Sequence, residues 1–127
     1  MLLSAKILNN VANVNTFDIS AQTTFTEGDL PTIYLQLIDS QSKLSRYIPS
    51  TGATLVVTFK HVDNAKTFTK IATNPFPGDT SIWAFTFTSL DNVKGTINLQ
   101  LTLTEGAVVT RGLVNTAILV QPFNSAF

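Results

Sequence analysis

One histidine, two glutamates and no cysteine bound the chemistry open to this 127-residue chain. Without cysteine there is no disulfide, zinc thiolate or thiol nucleophile. His61 has Asp63 two residues on, on the same face of an extended strand. A metal centre or a Ser/His/Asp relay needs further convergent groups that no known spacing here supplies. His61 therefore reads as a solvated or hydrogen-bonded side chain at a strand end. Glu27 and Glu105 are the one pair of acids resembling a glycosidase couple, yet each sits beside glycine in a turn signal, where a carboxylate faces water. Asp63 with Asn64, Asp79, and Asp91 with Asn92 fall in loops without calcium-loop spacing, and Asp and Asn there bond their own backbone. No phosphate loop occurs between Gly106 and Gly112. No catalytic residue, metal ligand or cofactor is expected, and an enzyme is not expected.

Two aromatic arrangements bear on binding. Lys60, Lys66 and Lys70 interleave with Phe59 and Phe68, as in a groove that stacks bases. Eight basic residues balance eight acidic ones, so no net charge draws the chain to nucleic acid or to an anionic membrane. Solvated lysines flanking core phenylalanines is the preferred reading. Trp83 and Tyr34 would stack on a sugar ring if exposed. Trp83, however, shares the parity of Phe85 and Phe87, which makes it a core residue first.

The elements that position these residues are strands. Nineteen Thr, nine Ser and ten Asn carry the polarity, while charged residues make up 13%, about half the usual share. Threonine favours pleated strands. Low charge at zero net charge favours association, since the cores of interfaces are depleted of charge. No apolar run reaches the length of a bilayer span, and the opening MLLSAK lacks the charged and apolar regions of a secretion signal.

Gly95–Glu105 alternates strictly, with Ile97, Leu99, Leu101 and Leu103 on one face and Thr and amide residues on the other. Gly106 turns it into a hairpin with the β-rich stretch after Ala107, within which Gly112 marks a bulge or a close backbone approach. Leu113 to Val120 is too continuously apolar for a one-sided strand. It suits a strand covered on both faces or crossing into a neighbouring subunit. Further strands are expected at 32–39, 54–61, 67–72 and 81–88, with one short helical turn at 89–94 ended by Gly95. The expected architecture is all-β: an immunoglobulin-like antiparallel β-sandwich of about seven to eight strands. Residues 1–20 form a strand or arm, 21–122 the sandwich and 123–127 a tail.

The run Phe25–Asp39, reading FTEGDLPTIYLQLID, resembles the opening of small structural proteins of tailed bacteriophages. Arg46–Leu55 (RYIPSTGATL), Ser81–Trp83, Val93–Leu99 and Leu101–Gly106 extend the resemblance over roughly residues 25–122. More distantly, Glu27-Gly28-Asp29 followed by Gly52–Val57 (GATLVV) resembles the N-terminal immunoglobulin-like domain of phage baseplate upper proteins, which anchors longer receptor-binding parts to the tail. Here the sequence stops soon after the matched region, with no stalk or receptor-binding part. A capsid decoration or a tail or baseplate connector is implied: a non-enzymatic virion protein made in the bacterial host cytoplasm. It would contact other virion proteins and copies of itself. Met1, Leu2, Leu3, Phe123 and Phe127, apolar residues at the ends, are the candidate assembly contacts. A carbohydrate-binding module for host-surface attachment, using Trp83 and Tyr34, is the alternative. Neither nucleic acid nor membrane is an expected partner.

Overall fold

A computed structural model describes residues 1–8, 23–41, 45–62, 66–88, 95–114 and 116–122. Ten strands run through them: β1 (Leu3–Leu8), β2 (Thr24–Thr26), β3 (Thr32–Asp39), β4 (Ser45–Arg46), β5 (Thr54–His61), β6 (Thr67–Ala72), β7 (Ile82–Thr86), β8 (Gly95–Glu105), β9 (Val108–Val114) and β10 (Ile118–Gln121). No helix occurs among the described residues. The helical turn expected at 89–94 lies outside them, although Gly95 has the positive φ, 123°, assigned to its end.

The strands form a β-sandwich. One layer is β1–β3–β7, with β4 continuing beside the end of β3. The other is β6–β5–β8, with β9 and β10 in succession along the far edge of β8, and β2 beyond β10. Leu35, Leu37 and Ala5 of the first layer, and Leu55, Val57, Phe59, Ile97, Leu101 and Leu103 of the second, are all almost wholly buried. Phe59 stacks on Phe85 and Phe87 of the opposite layer with ring centroids 6.3 and 5.7 Å apart, so the layers meet through aromatic contact as well as area.

Three features differ from expectation. Ten strands replace seven to eight, because β2 and β4 have three and two residues, too few to show a period. The sandwich is also not purely antiparallel: β1 runs parallel to β9, and β2 parallel to β10. Alternation reports which face a residue takes and is blind to strand direction. Finally, β1 packs Leu3, Ala5 and Ile7 into the core between β3 and β9. The sandwich therefore begins at residue 3 rather than 21, and β1 bonds to both layers.

The hairpin is as expected. Glu105 pairs with Val108 across a two-residue turn in which Gly106 takes φ 61°, the conformation such turns reserve for glycine. At Gly112 a built Cβ would stand 2.3 Å from the Leu3 carbonyl oxygen, which is the close approach read from sequence. The stretch after it is not covered on both faces. Leu113 faces Gln100 and Ile118 faces Ile97, so five steps on this edge answer three on β8. That bulge divides β9 from β10 and leaves Leu113 and Leu119 exposed.

The first layer is covered outside as well. Ile82 and Ala84, on the face of β7 opposite Trp83 and Phe85, are buried. Asn74 Nδ2 donates to the Ile82 carbonyl at 3.0 Å, Thr73 and Ala84 exchange backbone bonds, and Phe76 stacks on Tyr34, the register neighbour of Ala84. The connection from β6 to β7 thus folds back over its own sheet.

Candidate functional site

The residues read as chemical candidates do not converge. Glu27 donates its amide to Gln121, beyond the Gly95 end of β8, whereas Glu105 ends that strand. The eleven residues of β8 separate them by on the order of 30 Å, against about 5–10 Å for a glycosidase pair. His61 is not solvated. It is buried, with its ring 5.4 Å from Phe68 and 6.3 Å from Phe59 in edge contacts. Asp79 Oδ1 accepts from the amide and hydroxyl of Ser81, and its other oxygen meets Arg46 at 3.1 Å. Asp29 likewise accepts from the Thr26 amide. Both are turn carboxylates. Asp63, Asn64, Asp91 and Asn92 lie outside the described residues, among which no three acidic or histidine side chains gather.

The lysine groove is not formed either. Lys60 is exposed on the outer face, Lys70 lies opposite inward-facing Val57, and Phe59 and Phe68 stack on each other inside. Trp83 sits opposite Leu35 with its ring in the core, while Tyr34 points to the other face and is stacked on Phe76. The two are therefore on opposite sides of one sheet. They cannot bracket a sugar together. At the ends, Leu3 is a core residue and so is not available as the expected assembly contact, whereas Met1 and Leu2 are exposed. Leu2 is held by its backbone, donating to Asp39 Oδ1 at 3.2 Å and accepting from the Ser40 amide at 2.9 Å. Phe123 and Phe127 lie outside the described residues.

Glu105 has a structural task that its turn position did not announce. Its carboxylate accepts from the Tyr47 hydroxyl at 2.7 and 2.9 Å, and from the amide and hydroxyl of Ser50 at 2.8 and 3.1 Å. The Ser50 amide above all, with the two hydroxyls, holds the carboxyl below its ordinary value against a contrary effect of burial. The same contact pushes the Tyr47 hydroxyl up. The loop before β5 is thereby latched to the β8–β9 hairpin. A depressed folded-state carboxyl contributes stability that is present above its unfolded value and is lost as pH falls through the folded one. Glu105→Gln should cost about 1 kcal/mol at pH 7. The difference in thermal unfolding between the two proteins should therefore shrink as the pH is lowered below the ordinary carboxylate range, and a difference that does not change with pH would show that the carboxylate charge is not what holds the latch.

What the fold does assemble is a surface. The outer face of the second layer is dominated by threonine and aliphatic side chains, with Lys60 and Arg111 as its charged residues among those described. One row across it reads Thr69, Thr58, Gln100, Leu113, and the next Ile71, Val56, Thr102, Arg111. Thr54, Thr104 and Val109 form a third. Ile71, Val109, Leu113 and Leu119 are exposed on it. Leu2 adjoins it, because Ser4 of β1 pairs with Leu113. A depression of about 380 Å³ lies between Gln100, Thr102, Arg111 and Leu113. Threonine hydroxyls and methyls around exposed aliphatic residues can exchange water for another protein at little charge-desolvation cost. No protein-family model matches the chain, and no curated protein matches it.

Proposed function

We propose that this chain is a non-enzymatic structural subunit of a tailed-bacteriophage virion, a capsid decoration or a tail or baseplate connector. It acts through contacts with copies of itself and with other virion proteins. The observation that carries the assembly part is the outer face of the second layer, where Ile71, Val109, Leu113 and Leu119 stand exposed among threonines with little charge between them. A free surface of that composition invites association. The virion context rests on the resemblance of residues 25–122 to small phage structural proteins. The carbohydrate-binding alternative loses its main support, because the Trp83 ring is in the core.

The test is direct. Purified particles of the phage that encodes the chain should contain it in fixed proportion to the major capsid or tail proteins, measured by quantitative mass spectrometry. Particles that lack it would sink the virion reading.

A further inference from the structure

Among the described residues, strand β6 pairs with β5 on one side and with no strand on the other. His61 donates its amide to the Lys66 carbonyl at 2.9 Å, which sets the phase of that ladder. By antiparallel alternation the N–H and C=O of Phe68, Lys70 and Ala72 point to β5, and those of Thr67, Thr69 and Ile71 point away from it. Thr73 continues the outward phase, and its partner is Ala84 of β7, through bonds of 3.0 and 2.8 Å. The two layers touch edge to edge at that point and diverge beyond it, leaving a groove of about 760 Å³ lined in part by Thr69, Ile71, Tyr34 and Thr86. The facing edge of β7 is capped near its start, because Asn74 and Asp79 occupy the carbonyl and the amide of Ile82. Over Thr67–Ile71 no other strand among the described residues pairs with the outward edge of β6. Both Thr69 and Ile71 are exposed, Ile71 to 75%.

We propose that Thr67–Ile71 is the contact through which two copies of this chain pair, strand against strand, antiparallel about a two-fold axis at Thr69. A bare row of amides and carbonyls is satisfied by an extended backbone and by little else. The segment is complementary to itself. Centred on Thr69, the pairing engages all three outward-pointing residues, with Ile71 across from Thr67 of the second copy. It also sets Lys70 against Phe68 and Lys66 against Ala72. Sliding one copy by two residues, the next register that keeps the hydrogen-bond phase, opposes Lys70 to Lys70 or Lys66 to Lys70, where like charges repel. The pairing fuses two second layers into one sheet and makes their outer faces continuous. It deepens the assembly reading by naming the self-contact.

The mass of the full chain in solution, measured by light scattering over a range of concentrations, tests this together with three variants. Thr69→Pro removes the outward amide, and proline is tolerated where the N–H of an edge strand faces solvent. It should weaken pairing by about tenfold or more while the unfolding temperature is retained. Should that variant unfold early, charge decides instead. Thr69→Lys alone and Thr69→Glu alone should each pair poorly, because each opposes like charges at the axis. Their equimolar mixture should recover the pairing. A wild-type chain that stays monomeric, association that survives Thr69→Pro unchanged, or a mixture no better than its components would overturn the proposal. A monomer that is nevertheless found in purified particles overturns this contact and leaves the virion reading standing. A dimer absent from particles does the reverse.

Discussion

Leu101→Asp should abolish the cooperative unfolding transition, leaving a chain without tertiary structure. Leu101 is 1% exposed and sits mid-strand in β8, between Val57 and Gly112 of the neighbouring strands. A carboxylate there would be taken out of water on the core face, among the buried apolar side chains of the sandwich. The loss exceeds about 4 kcal/mol, a large part of the roughly 5–15 kcal/mol that holds a domain of this size together. Thr102→Asp, one residue on, places the same charge on the outer face and should cost under about 1 kcal/mol. Circular dichroism with thermal melts separates the two. A normal melt for Leu101→Asp would mean that β8 presents its other face to the core.

Gly112→Ala should be costly for the addition of a single methyl group. The new Cβ would meet the Leu3 carbonyl oxygen at 2.3 Å and its carbon at 2.8 Å. Both are backbone atoms of β1, which is held by six register pairs with β3 on its other side, so the obstruction cannot rotate away. Either β1 or β9 must shift, at a cost of about 3 kcal/mol. The melting temperature should fall by on the order of 10 °C, and amides of Leu3–Leu8 should lose exchange protection first. Gly78→Ala, where an added Cβ meets nothing within 4 Å, is the matched control. Equal melting temperatures for the two variants would show that β1 is not seated against β9.

Both predictions rest on β8 and its hairpin, the most legible part of the sequence. Four aliphatic residues at period two, then Glu105-Gly106, state a one-sided strand and a tight turn without help from the rest of the chain. The parity that assigned Trp83 to the core is equally local. The first strand was harder to read, because Leu3, Ala5 and Ile7 alternate with Ser4 and Lys6 but Ala5 gives a weak signal and the asparagine-rich run that follows has no strong period. Its partners, β3 and β9, are distant in sequence. The burial of Ile82 and Ala84 depends on a connection that folds back over the sheet, and no pattern within β7 encodes that. Glu105 shows the same limit from the side of polar chemistry: Tyr47 and Ser50 stand 58 and 55 residues away, so its turn position was visible and its bonding was not. His61 was misread for a related reason, since the rings that enclose it come partly from β6. The exposed face followed from the alternation. Which of its edges lacks a neighbour did not, because pairing order is set by the whole topology.

The parallel pairings have a mechanical consequence. Strand β1 lies beside β9 and β2 beside β10, each pair running in the same direction, so strands near the start of the chain are laid along strands near its end. Tension that draws the two ends apart then drives these neighbours lengthwise past one another. The bonds of each pairing are strained together instead of opening one after another from a frayed end. A load entering at one terminus and leaving at the other is carried across this seam before it reaches the core, so the sandwich can act as a link under tension without first unravelling.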